Sequence, residues 1–270
     1  MSNQTAQGIA LVTGSSSGIG EAFAAHLAAA GYNLVLVARR RDRLETQAKL
    51  LSSEHGISAD VFVADLANPN DLAQVERLAN EKPLSMLVNN AGVGGIAPFD
   101  EMPRDEIQRM LDVNVIALTR LTHAALPGMV DRRRGTIINV GSGLSFATMP
   151  NAAVYAATKA YVVHFTQALH EEFDGRDIRL QALIPGLVRT ELGSGKNTAF
   201  YDQFPPEMVM SPDALVAASL TGLNLGELVC IPVLTDPLEW AAANDAIRQI
   251  GQRVATAVPA VPSDRYSRSV

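Results

Sequence analysis

Cysteine is all but missing from this chain. Cys230 is the only one, so no internal disulfide can form, which sets aside the disulfide-stapled scaffolds of secreted proteins. Its apolar surroundings make it an inert core thiol. The five histidines (His26, His55, His123, His164 and His170) show no metal-ligand spacing with acids or with that cysteine, and no metal site is expected. A cationic excess is missing too. Lys and Arg number 22 against 28 Asp and Glu, a formal charge of −6, where a nucleic-acid binder favours a basic surface. The one short basic run, Arg132 to Arg134, lies between a helical and a strand pattern and reads as solvated connector. No apolar run approaches the roughly 20 residues of a membrane helix. Met1 to Gly8 is too short and polar for a signal peptide, so a cytoplasmic protein is expected. No Gly-x-Ser-x-Gly elbow occurs, which speaks against a hydrolase, and neither repeat nor linker is visible.

What the chain has is aliphatic residues and small ones: 47% hydrophobic with only 5% aromatic over 270 residues, suited to helices packed closely on a sheet. Short apolar runs predict strands at Gly8–Thr13, Asn33–Ala38, Ala59–Ala64, Leu84–Val88, Thr136–Val140, Asp177–Ile184 and Leu228–Val233. Helical patterns alternate with them: up to Ala30, Arg39–Ser53, Leu72–Asn80, Pro103–Met129 broken at Pro127-Gly128, Val154–Phe173, Pro212–Leu223 and Asp236–Thr256. This is an α/β protein, expected as one domain over residues 1–257, with a Pro/Ser/Arg tail at 258–270 expected to be disordered. Residues 187–211 lack a clear period and carry several apolar side chains; they read as a lid over substrate.

The chemistry-bearing residues sit at the strand ends. Gly14-Ser-Ser-Ser-Gly18-Ile19-Gly20 joins the first strand to a helix, and such a loop brings free N–H groups and a helix dipole to a pyrophosphate. At the end of the second strand, NAD-preferring proteins of this kind place an acid for the ribose 2′-hydroxyl. Here Arg39 and Arg40 stand instead, and guanidinium favours a 2′-phosphate. NADP(H) is therefore expected ahead of NAD(H), with Arg39 the first choice and Arg40 the second; the alternative is that both merely open a solvated helix. Asp65 and Leu66 end the third strand, in reach of an adenine. Asn89-Asn90-Ala91-Gly92 forms a tight turn after the fourth. Asn114 is an amide in an apolar helix interior, which needs partners: either it bonds a neighbouring carbonyl or it kinks the helix and holds a water. Ser142 follows the fifth strand. Tyr155 and Lys159, one helical turn apart, place a phenol beside an ammonium, which would lower the phenol pKa towards neutrality. The same pair also fits a half-buried aromatic with a snorkelling Lys. The apolar arc of that helix covers about half its circumference, wider than one ~100° stripe, as if a second face met another subunit.

Together these residues resemble the short-chain dehydrogenase/reductase family over about residues 8 to 235. The resemblance implies a single-domain Rossmann fold, a doubly wound seven-stranded parallel sheet with helices on both faces. It implies an oxidoreductase interconverting a carbonyl and an alcohol, with Tyr155 as general acid/base. Lys159 would lower its pKa and hold the nicotinamide ribose, Ser142 would bond the carbonyl oxygen, and Asn114 would position a water. Gly14, Ser15, Ser17, Gly18, Ile19 and Gly20 would hold the pyrophosphate, Asp65 and Leu66 the adenine, and Asn90, Ala91, Gly92 and Val113 the ribose region. Pro185, Gly186, Val188 and Thr190 would line the nicotinamide end. Ser17 stands where many members carry a basic residue, leaving the 2′-phosphate to the arginines. Members are usually dimers or tetramers joined through the helices that here contain Asn114 and Tyr155. Leu144, Phe146, Met149, Pro150 and Val93 suggest a medium or large apolar substrate. Two alternatives stay open: a non-catalytic NADP-binding sensor or scaffold, and an epimerase or dehydratase on the same fold.

Overall fold

The computed structural model describes residues 7–194 and 198–256, so the tail expected at 258–270 lies outside the described residues. The chain divides into two compact units, Met1–Pro232 and Val233–Val270. The first opens with β1 (Ile9–Thr13), α1 (Gly18–Ala29), β2 (Asn33–Ala38), α2 (Arg41–His55), β3 (Ala59–Val63), α3 (Pro69–Glu81) and β4 (Leu84–Asn89). Next come α4 (Arg104–Leu111), a π-helical turn over Asp112–Ala117, α5 (Leu118–Asp131), β5 (Gly135–Val140), α6 (Ala153–Phe173) and β6 (Ile178–Leu183). The unit closes with β7 (Leu187–Val188), α7 (Glu191–Ser194), 3-10 turns at Thr198–Gln203 and Pro206–Met208, β8 (Val209–Met210), α8 (Pro212–Leu225) and β9 (Val229–Cys230). In the second unit the described element is α9 (Pro237–Thr256).

Seven strands form one sheet in the order β3-β2-β1-β4-β5-β6-β9, while β7 and β8 pair separately. All the pairings in the large sheet are parallel. Side chains alternate across such a sheet, and two apolar layers result. Ala10, Val12, Leu34 and Leu36 pack with α1, α2 and α8; Leu11, Val35 and Val37 pack with α3, α5 and α6. This is the doubly wound α/β fold. Its strand order reverses between β1 and β4, the place where open α/β sheets bind ligands.

Two elements differ from expectation. Pro127 does not end the long helix: α5 runs on to Asp131. Pro127 and His123, whose carbonyl it deprives of an intrahelical donor, are both exposed, so water can replace the lost bond, while Leu126 and Met129 are buried and keep the turn packed. The last strand is shorter than expected, pairing only Ala182↔Val229 and Leu183↔Cys230, because Pro232 soon removes a ladder donor.

Polar groups also cross the core. Asn89 and Asn139 are register partners on β4 and β5. Asn89 Nδ2 donates to Asn139 Oδ1 and to Thr122 Oγ1 of α5, both at 2.9 Å. Asn139 Nδ2 donates to Thr166 Oγ1 of α6 at 3.0 Å.

Candidate active site

The loop between β1 and α1 is shaped by its glycines. Gly14 and Gly18 have φ of +66° and +59°, a region side chains disfavour. A Cβ on Gly20 would lie 2.4 Å from both Asn90 Nδ2 and Gly14 O, so the loops after β1 and β4 are pressed together. Asn90 seals that contact: its Nδ2 donates to Thr13 O at 2.9 Å and Gly14 O at 3.3 Å. The backbone N–H groups of Asn90 and Ala91 both donate to Thr13 Oγ1. Ser17, the N-cap of α1, makes no side-chain cap bond, which leaves the first-turn N–H groups free for an anion. Ser15 Oγ is buried beside them with no hydrogen-bond partner among the described residues.

A cavity of about 460 Å³ lies over this loop. Of the residues singled out from the sequence, Gly14, Ser17, Gly18, Ile19, Arg39, Arg40, Asp65, Leu66, Asn90, Ala91, Gly92, Val113 and Thr190 line it. Ser15, Gly20, Asn114, Ser142, Tyr155, Lys159, Pro185, Gly186 and Val188 do not. Arg39 is an exposed side chain, whereas Arg40 is held across the mouth. Its Nε and Nη2 donate to Ser16 Oγ at 3.0 and 2.9 Å, Nη2 to Ser17 Oγ at 2.6 Å, and Nη1 to Glu191 Oε2 at 2.6 Å. Ser16, Arg109 and Glu191 were not anticipated as lining residues. Arg109 Nη2 meets both carboxylate oxygens of Asp65 at 3.0 Å.

At the inner end of the cavity four elements converge. A Cβ on Gly94 would sit 3.7 Å from Cδ2 and Cε2 of Tyr155, and one on Gly92 would sit 3.5 Å from both Asn114 Oδ1 and Lys159 Nζ; both glycines line the cavity. The π-turn aims Asn114 inward, where its Oδ1 accepts from Val93 N and its Nδ2 donates to Val93 O and Thr158 Oγ1. Lys159 Nζ donates to Val140 O at 2.9 Å. Ser142 caps a short 3-10 turn, its Oγ accepting from Leu144 N, and its side chain neighbours the Tyr155 phenol. Asn114, Ser142, Tyr155 and Lys159 are thus brought together.

The electrostatics correct one expectation. Burial pushes the Tyr155 phenol above its ordinary value, a hydrogen bond to Ser142 opposes this, and the Tyr201 phenol adds to the rise; Lys159 does not lower it. The ammonium lies 5.8 Å from the Tyr155 ring centroid and is itself pushed down from 10.5 to about 8 by burial. Helical spacing indicates that the two groups are close, but not how far each is removed from water. Tyr201, buried at 3% exposure in the turn Thr198–Gln203, was likewise not anticipated as a neighbour of the phenol.

The Lys159 value has a consequence for stability. Below pH 8 the buried ammonium destabilises the folded state by about 3 kcal/mol at most. Between about 8 and 10.5 the unfolded chain holds more protons, so this group makes stability rise with pH. Lys159→Met should therefore melt about 5 °C above the parent at pH 7, allowing for the Val140 carbonyl it orphans. The gap should close as pH approaches 10; scanning calorimetry showing no gain at pH 7 contradicts the burial argument.

Among the described residues no helix is long and apolar enough to cross a membrane, and no group of three or more His, Cys, Asp or Glu side chains is placed to hold a metal ion. Comparison with known proteins places the site in context. The family model for short chain dehydrogenase matches residues 8–199. A short-chain dehydrogenase from Sphingobium yanoikuyae, solved in complex with NADPH, is 37% identical with a TM-score of 0.88, covering 96% of this chain and 100% of its own. The bulky-bulky ketone specific alcohol dehydrogenase from Comamonas testosteroni is 34% identical with a TM-score of 0.87, covering 97% of this chain and 99% of its own. A curated human relative, inactive hydroxysteroid dehydrogenase-like protein 1, is 34% identical over 191 residues, which is 70% of this chain and 58% of that protein. The chain thus spans less than two thirds of that relative's length.

Proposed function

The chain belongs to the short-chain dehydrogenase/reductase family, and from that premise we propose that it is an NADP(H)-dependent oxidoreductase interconverting ketones or aldehydes with alcohols. The observation that carries the proposal is the convergence of Tyr155, Ser142, Asn114 and Lys159 behind Gly92 and Gly94, which line a cavity that also covers a glycine-loop anion site. The protein's groups fit a dinucleotide: the glycine positions leave no room for a Cβ, the helix start lacks a side-chain cap, and Arg40 waits at the mouth. The cofactor would supply or take up a hydride.

The side chains provide the rest. Burial keeps the Tyr155 phenol protonated, so in the reducing direction it donates a proton to the carbonyl oxygen. Ser142, beside that phenol, adds a hydroxyl donor where negative charge develops. Lys159 turns its ammonium towards the Gly92 turn, where ribose hydroxyls would be held. Asn114 fixes the backbone of that turn through Val93. Of the residues that line the cavity, Gly14, Ser17, Gly18 and Ile19 would take the pyrophosphate, Asp65 and Leu66 the adenine side, and Thr190 the crossing segment.

A bulky apolar substrate is favoured. Phe146 and Met149, exposed at 46% and 38%, follow Ser142. The loop bearing Ile96 and Phe99, exposed at 69% and 65%, is tied to Asn151 by the bond from Ala97 N. Exposed Leu111 and Ile116, flanking Asn114, support a homo-oligomer through that helix. The relative named inactive makes a non-catalytic NADP(H) binder the second reading; the presence of all four converging residues favours catalysis. Incubation with NADPH and a panel of ketones decides between them. Turnover that rises with the bulk of both ketone substituents is expected, and NADPH binding without consumption of any carbonyl refutes the catalytic assignment.

A further inference from the structure

Arg40 and Arg43 stand one turn apart at the start of α2, and both reach the same carboxylate. Glu191 Oε2 accepts from Arg40 Nη1 at 2.6 Å and Glu191 Oε1 from Arg43 Nη1 at 2.9 Å. Ser16 and Ser17 complete the cluster through their bonds to Arg40. Glu191 opens α7, just after the segment that crosses the glycine loop; a Cβ on Gly18 would lie 3.0 Å from Thr190 Cγ2. Two guanidiniums on one carboxylate, with two hydroxyls beside Arg40, form a donor set that also suits a phosphate monoester.

We propose that Glu191 occupies the subsite for the cofactor 2′-phosphate and is the residue that limits the preference for NADPH over NADH, leaving the Arg40–Arg43 fork when the phosphate enters. The inference rests on the NADP(H) reading above. The fork side chains are 36% and 41% exposed and Glu191 is 33% exposed, so a solute can reach them. A phosphate brings more charge and one more oxygen than the carboxylate it replaces. The hydrogen bonds from Arg40 and Arg43 hold Glu191 down at about 2, which keeps it an anion, and a competitor, at any working pH. An occupied fork reduces apparent affinity by the fraction of time it stands open. Only the phosphorylated nucleotide meets this penalty, because NADH has no group to place there.

Glu191→Gln keeps the shape and removes the charge. Titration calorimetry of parent and variant with NADPH, NADH and 2′,5′-ADP reads the effect, and NADH binding reports an intact fold. The ratio of the NADH to the NADPH dissociation constant should rise about tenfold in the variant, and 2′,5′-ADP should tighten in parallel. A ratio that is unchanged makes Glu191 a surface tether for α7, and a ratio that falls makes it an organiser of the fork; either overturns the assignment while leaving the dinucleotide reading intact. A parent that binds neither NADPH nor NADH overturns both.

Discussion

Tyr155→Phe is expected to lower carbonyl turnover about 10³-fold while leaving the NADPH dissociation constant within about a factor of two. The substitution removes one hydroxyl and keeps the ring that packs on Gly94, so the cavity wall survives. What is lost is the proton donor, and positioned general acids contribute roughly 10²–10⁴-fold. A fall in kcat at unchanged cofactor affinity is the signature of an interaction made in the transition state alone. Ser142 retains its turn through the bond from Leu144 N and still offers a hydroxyl to the oxygen, so residual activity above solution should persist. Single-turnover measurement of NADPH oxidation at saturating ketone checks this. A variant that keeps a tenth or more of the parental rate removes Tyr155 from the chemistry.

Arg40→Ala should weaken NADPH binding about 10²-fold and NADH binding less than about threefold. A charge-assisted hydrogen bond contributes about 1.5–3 kcal/mol, and about 1.4 kcal/mol is a factor of ten in affinity. Arg40 also braces the glycine loop through Ser16 and Ser17, so the two nucleotides must be compared. Equal losses for NADPH and NADH mean that the guanidinium supports the loop and does not read the phosphate. Arg39→Ala, whose side chain is exposed at the same cavity, should have the smaller effect of the two.

The different surroundings of Arg39 and Arg40, both at the cavity, show where sequence stops being informative. Adjacent residues at the end of a strand project in opposite directions, and which one faces the loop depends on where β2 gives way to α2. The strands themselves were legible because aliphatic runs buried on both faces look alike in any parallel sheet, and all seven lie in one doubly wound parallel sheet, as the family resemblance implied. Asn114 could be flagged as an amide out of place, yet the π-turn that aims it depends on backbone bonding that side-chain periodicity does not report. Glu191 and Arg43 escaped notice altogether. They meet across 148 positions of chain through a four-residue helix that has no pattern of its own. The spacing of Arg40 and Arg43, one turn apart, was the only available hint that a single anion bridges them. The sign of the Tyr155 shift was out of reach because it depends on depth of burial.

The amides Asn89 and Asn139 act as alignment pins. Strands built almost wholly of aliphatic residues can slide by two positions and still present the same face to the same layer, so hydrophobicity alone selects the set of allowed offsets and not one of them. An amide stranded in that interior by a slip would forfeit its partners, a penalty of about 1–3 kcal/mol for each group. With Thr122 and Thr166 at the two ends of the chain of bonds, one offset links both helices and both strands at once. The turn at Gly92 and the loop at Ser142 spring from these same two strands, so the separation of Tyr155 from the glycine loop is set by a notch in the core and not by the walls of the cavity.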